Sequence, residues 1–375
     1  MLVLAAVIVG LLLTSRAKPK PTRVAPGAGR PESPHGNSPQ PAPIAPIPRV
    51  GGGDDDDVEV TLVTAFPSAE LARARALAKG EPAPVISADA VVDGENDSQA
   101  TRVELSYEAE AEDEETTSPI VRILITAIGD SDQGRMRPRN EDSLVVFPER
   151  SLFAVADGMG GHASGDVASA VAVDVLRDAF ERNVFDAHTE SDVEVPRRGR
   201  ELACAIQMAN EAIYSLAQTD AKLNGMGTTM VAARFSPNKQ RVYIGHVGDS
   251  RCYRMRGTVF RQLTSDHTMS SLGVHGPRSH DLFQAVGVAP TIAIDLIVDK
   301  PRGDDLYLLC SDGLSKMVTN DEIGQALRDE SDIEAAVYGL MELANDRGGK
   351  DNITIVLIKV IDKHARLIAS EVAPR

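Results

Sequence analysis

Acidic residues set into turn-forming sequence recur over about two hundred positions of this chain. They are Glu141 and Asp142 in RNEDS, Asp157 in ADGMGGH, Asp249 in VGDSR, Asp312 in CSDGL and Asp351 in KDN. Short apolar runs, such as Leu152 to Ala156 and Leu306 to Cys310, lead directly into two of them. A carboxylate at the end of a buried strand is costly unless something positive neutralises it. Four or five together point to strand ends converging on bound cations. A set of carboxylates without Cys or His favours Mg²⁺ or Mn²⁺ over zinc. Gly158 allows close backbone approach, so its carbonyl could join the Asp157 carboxylate on a metal. Taken singly, each Asp-Gly or Asp-Asn pair reads equally well as a turn dipeptide. The number of them weakens that reading.

Hydrophobic patterning supplies the elements that would position these side chains. Val121 to Ile128 is a run rich in β-branched residues, and Ser143 to Phe147 with Ser151 to Ala156 reads as a hairpin around Pro148-Glu149. Gly165 to Arg182 and Glu201 to Gln218 have helical apolar spacing. Strands return at 228–235, 241–247, 251–256, 291–298 and 304–309. Helices at 321–328 and 333–346 precede a last strand at 353–360. Hairpin-rich strands interrupted by paired helices predict an α+β fold, with two packed antiparallel sheets flanked by pairs of α-helices.

Composition divides the 375 residues unequally. From Arg16 to Pro119 there are 10 basic and 19 acidic residues and most of the prolines, which predicts a disordered linker over 17–119. Within it Val58 to Phe66 has strand character and Ala69 to Lys79 could form a short helix. A catalytic domain is expected over 120–363, with a tail at 364–375. The overall charge of −16 argues against nucleic acid as a partner. The three dispersed cysteines, Cys204, Cys252 and Cys310, read as buried structural thiols in a reducing compartment. Leu2 to Leu13 is an apolar run followed by Arg16, Lys18, Lys20 and Arg23. That asymmetry favours a short membrane anchor over residues 1–16, with the catalytic part in the cytoplasm, over a cleaved secretory signal.

Six ordered segments carry a resemblance. They are Gly134-x-x-Arg137-x-x-Asn140-Glu141-Asp142-Ser143, DGMGGHASGD at 157–166, GMGTT at 225–229, VGDSR at 247–251, LLCSDGL at 308–314 and DNITIV at 351–356. In order and spacing they resemble the bacterial branch of the metal-dependent serine/threonine protein phosphatases, the protein phosphatase 2C family. The resemblance spans residues 121–360 and leaves the N-terminal third outside. It implies hydrolysis of phosphoserine and phosphothreonine in proteins by a metal-activated water, in opposition to bacterial Ser/Thr kinases.

Position by position, the resemblance implies that Asp157 bridges two Mn²⁺ or Mg²⁺ ions, with the Gly158 carbonyl on one and Asp312 and Asp351 on the other. Glu141 and Asp142 would bind metal or orient its waters, Arg137 would hold the substrate phosphate, and Asp249 would help hold a weaker third ion. The catalytic domain is expected to act as a monomer on phosphorylated proteins. Met159 stands where many eukaryotic relatives have a histidine proposed as general acid. His162 reads as a supporting residue, His267, His275 and His280 as loop histidines, and Met269 to Asp281 as a shortened flap. The rival function is an inactive relative that binds phosphoproteins or a regulatory partner. Retention of Asp157, Asp312 and Asp351 weighs against it.

Overall fold

Alternation at period two builds the core of the molecule. The computed structural model describes residues 59–63, 123–160, 164–185 and 195–362. On the strand Leu306–Cys310, Tyr307 and Leu309 face one way, packing with Phe153, Val231, Phe235 and Ile244. Leu308 and Cys310 face the other way, toward Ile323, Leu327, Val337 and Leu340. The last strand, Ile353–Asp362, repeats this, with Val356, Ile358 and Val360 on one face and Ile353, Ile355 and Leu357 on the other. Because successive side chains point to opposite faces, a strand buried on both must be apolar throughout.

The strands are β1 (Glu59–Val63), β2 (Ile123–Asp132), β3 (Asp142–Phe147), β4 (Leu152–Met159), β5 (Gly227–Thr228) and β6 (Met230–Phe235). They continue with β7 (Val242–Val247), β8 (Arg251–Arg256), β9 (Val259–Gln262), β10 (Ile294–Asp299), β11 (Leu306–Cys310) and β12 (Ile353–Asp362). One sheet has the order β1-β10-β7-β6-β4-β3, with β5 against β4, and the other β2-β12-β11-β8-β9. Every strand pair is antiparallel. Helices α1 (Gly165–Glu181) and α2 (Arg197–Ala217) pack on the first sheet. Helices α3 (Asp312–Ser315), α4 (Asn320–Asp329) and α5 (Ile333–Asp346) pack on the second. This is the α+β sandwich expected from the patterning, with a third, very short helix added to one layer.

Several boundaries differ from expectation. Pro196 at the N-cap starts α2 four residues early, at Arg197. The strand expected over 291–298 begins at Ile294. β9 and α3 are too short to show a periodicity of their own. The strand character of Val58 to Phe66 is realised as β1, paired with β10 from Glu59↔Val298 to Val63↔Ile294. The sheet therefore draws on residues that composition had assigned to the linker. The apolar run at Leu2 to Leu13, the helix expected at 69–79 and His162 lie outside the described residues. Among the described residues no helix is long and apolar enough to cross a membrane. All three cysteines are buried and free, as their apolar settings implied.

Candidate metal centre

The acidic residues gather at one end of the sandwich because the strands that carry them end there. Register places Asp142, at the start of β3, opposite Asp157, near the end of β4. Asp312 follows β11 as the first residue of α3, Asp249 follows β7, and Asp351 precedes β12. The Asp157 backbone is fixed on both sides. Its carbonyl accepts from the Thr229 N–H at 2.9 Å and the Thr228 hydroxyl at 2.8 Å, and its N–H donates to Thr229 Oγ1 at 3.0 Å.

Two glycines allow the strand ends to close on one another. A Cβ on Gly158 would lie 2.1 Å from the Gly165 carbonyl oxygen and 2.5 Å from that of Glu141. Gly134 has φ +77°, and a Cβ there would lie 2.2 Å from the Asp351 carbonyl oxygen. Any larger residue at either position would push the loops apart. Asn352 then ties them together. Its Oδ1 accepts the Glu141 N–H at 2.9 Å, and its Nδ2 donates to the carbonyls of Gln133 at 2.8 Å and Arg139 at 3.0 Å. Sequence reasoning passed over this residue, which is buried and holds the Arg137–Glu141 loop against Asp351.

The electrostatics are those of a site built for positive charge. Burial, followed by the carboxylates of Asp142, Asp312, Asp249 and Asp351, pushes Asp157 well above the usual carboxylate range. Burial likewise raises Asp142 to about 6, although the Thr354 hydroxyl donates to its Oδ2 at 2.6 Å. Asp249 is raised to about 6 by burial and by Asp312. Carboxylates resist ionisation when desolvated together, and a divalent cation reverses that balance. Two oxygens, Asp142 Oδ1 and Asp312 Oδ1, are buried with no hydrogen-bond partner. Unsatisfied buried acceptors beside a glycine cradle, in an all-oxygen donor set, fit Mn²⁺ or Mg²⁺.

Arg137 lies beside the cluster, half-exposed. Its guanidinium donates to Asp351 Oδ2 at 2.7 Å and lies 4.0 Å from Glu141 Oε2. The structure thus brings Arg137, Glu141, Asp142, Asp157, Gly158, Asp249, Asp312 and Asp351 to one end of the fold. It adds Lys316, whose ammonium contacts Asp312 Oδ2 and lies 4.0 Å from Asp249 Oδ2. The signal that could have revealed it is the i,i+4 spacing of Asp312 and Lys316, legible only once α3 is known to be helical.

His267 sits in a loop, as expected, but is buried and engaged. With His246 and Asp295 it forms a set whose ligand-type atoms lie within 4.8 Å of one another. The Gly248 N–H points to His267 Nδ1 at 3.2 Å and the Gln284 amide lies 3.3 Å from the same atom. That nitrogen is therefore the acceptor. The proton sits on Nε2, 3.0 Å from Asp295 Oδ2, which leaves no lone pair there for a cation. His267 and Asp295 form a hydrogen-bonded brace under the Gly248-Asp249 turn. His246 lies beside it, with Nδ1 3.9 Å from Asp295 Oδ2 and neither ring nitrogen hydrogen-bonded. Despite its burial, Asp295 is held well below the usual carboxylate range by the two histidines facing it.

Comparison with known proteins agrees with this geometry. Residues 128–357 match the protein phosphatase 2C family. The serine/threonine phosphatase stp of Listeria monocytogenes is 37% identical over 243 residues, covering 61% of this chain and 93% of that protein. The serine/threonine protein phosphatase PstP of Mycobacterium tuberculosis is 34% identical over 252 residues, covering 64% of this chain and 46% of its own length. Among solved structures, the catalytic domain of PstP in complex with two manganese ions superposes with TM-score 0.54 at 34% identity, covering 64% of this chain and all of that one. PppA, described as a key regulatory component of T6SS in Pseudomonas aeruginosa, superposes with TM-score 0.55 at 31% identity, over 64% of this chain and 98% of its own. The chain belongs to the protein phosphatase 2C family.

Proposed function

We propose that this chain is a protein phosphatase that hydrolyses phosphoserine and phosphothreonine in phosphorylated proteins, using Mn²⁺ or Mg²⁺. The observation that carries this reading is the pair of buried, unpartnered oxygens, Asp142 Oδ1 and Asp312 Oδ1, beside the raised carboxylate of Asp157. Bound ions would lower the pKa of a coordinated water to near neutrality and offset charge on the phosphoryl oxygens. Asp157, the Gly158 carbonyl, Asp312, Asp351 and Glu141 are the residues that would hold them. Asp142 keeps one oxygen on the Thr354 hydroxyl, which aims the other into the centre. Arg137 is placed to leave Asp351 and take the substrate phosphate through two parallel N–H donors, a task suited to a planar guanidinium. The half-exposed Arg137 guanidinium is open to a phosphorylated side chain presented on a protein surface.

Three finer assignments belong to the same proposal. The catalytic domain, residues 120–363 together with β1, acts as a monomer. Its substrates are those of bacterial Ser/Thr kinases, in keeping with relatives named serine/threonine phosphatases. The apolar run Leu2 to Leu13, with basic residues after it, anchors the chain at the cytoplasmic membrane face. The test of the activity is phosphate release from a phosphothreonine peptide with and without added Mn²⁺, beside Asp312→Asn. Release that requires the metal and is lost in the variant is the expected result. Folded protein inactive with every divalent metal would leave only the phosphoprotein-binding alternative. Recovery of the full-length chain in the soluble fraction of cells would end the anchor assignment.

A further inference from the structure

The resemblance implies a weaker third ion at Asp249, yet the ammonium of Lys316 lies against Asp312 and 4.0 Å from Asp249. Lys316 caps the C-terminus of α3, one helical turn after Asp312. Its ammonium contacts Asp312 Oδ2 and lies 4.0 Å from Asp249 Oδ2, and both carboxylates are buried, at 9% and 8% exposure. Lys316 is half-exposed and presents its ammonium to both carboxylates. The division of labour at Asp312 is what makes this arrangement compatible with the rest of the centre. Oδ2 faces the ammonium, while Oδ1 is buried, unpartnered and left for an ion.

Resting on the two-metal reading above, we infer that the Lys316 ammonium is a built-in cation occupying the place between Asp249 and Asp312 that a third divalent ion would need. The centre then takes two ions and not three, and Asp249 anchors Lys316 in place of binding metal. A fixed ammonium beside a divalent ion in the same gap would repel it, and each would compete for the same carboxylate oxygens. An ammonium also brings its charge without needing free metal in solution, so occupation of this third position does not follow metal supply.

The test counts Mn²⁺ bound per chain by equilibrium dialysis of the full-length protein, with circular dichroism confirming the fold of each variant. Wild type is expected to bind two ions with no further uptake. Lys316→Asp, which replaces the cation with a ligand, is expected to gain a third, weaker ion, and Lys316→Asp combined with Asp249→Asn to lose it again. Lys316→Gln, which removes charge without adding a ligand and is the milder change at a half-exposed site, is expected to show weak third uptake. Three ions on wild type would overturn the inference while leaving the phosphatase reading intact. Two ions on wild type and still two on both Lys316 variants would also overturn it, since Lys316 would not be what excludes the third. Folded wild type that binds no ion would remove the two-metal reading itself, and the inference with it.

Discussion

Two clusters of buried charge lie in this domain, and they are built on opposite rules. Between the sheets, Asp299 is fully satisfied: Arg254 donates to its Oδ1 at 2.7 Å and the Tyr307 hydroxyl to its Oδ2 at 2.6 Å. At the strand ends, Asp142, Asp157, Asp249 and Asp312 crowd together, and two of their oxygens have no hydrogen-bond partner. The first cluster satisfies its carboxylate from within the protein and serves the fold. The second is an excess of buried carboxylate that a bound cation would offset. Buried carboxylates therefore do not mark function by themselves; unsatisfied ones do.

The largest effect expected from breaking this contrast is on catalysis. Asp312→Asn should lower Mn²⁺-dependent phosphate release by about 10³-fold, since loss of a ligand removes several kcal/mol of charge stabilisation. The same substitution should raise the thermal midpoint of the metal-free protein, because it relieves repulsion around Asp157. Asp299→Asn is expected to do the reverse, destabilising the fold by about 3–5 kcal/mol as it leaves Arg254 buried without its counter-charge. Denaturant unfolding of both variants in chelator decides the comparison. Equal destabilisation by the two would mean that the strand-end cluster is also structural.

The pH dependence sharpens the same point. Asp142 and Asp249 have folded pKa values of about 6, raised above the unfolded carboxylate range. Between that range and about 6 the folded state holds more protons than the unfolded one, so metal-free stability falls as pH rises through this window. The melting temperature in chelator should therefore be a few degrees higher at pH 5 than at pH 7.5. In saturating Mn²⁺ the order should reverse, because protons then compete with the ions. The smallest effect is expected from Asn352→Ala. Three loop hydrogen bonds are lost, at a cost of about 1–3 kcal/mol, and the Mn²⁺ concentration for half-maximal activity should rise.

The sequence made the carboxylates visible because each sits at a turn directly after or before an apolar run. It made the sandwich visible because strands such as β11 and β12 are apolar on both faces. Lys316, Asn352 and the His267–Asp295 brace with its neighbour His246 were hidden for one reason: each works through partners distant in the chain or through an element too short to leave a pattern. His246 lies on β7, Asp295 on β10 and His267 in the loop before the flap, and only sheet pairing brings them together. β1 was hidden differently. Its strand character was legible, but a five-residue strand is decided by whether a sheet edge is there to receive it, and β10 offers one.

That pairing widens the domain in sequence. Both Val63 and Ile123 belong to its strands, so the fold draws on two stretches far apart in the chain. The family match begins at residue 128, and β1 lies outside it. β1 is also the outermost strand of its sheet, with β10 as its one neighbour. Removing that short strand would leave β10 as an open sheet edge, ready to pair with another chain.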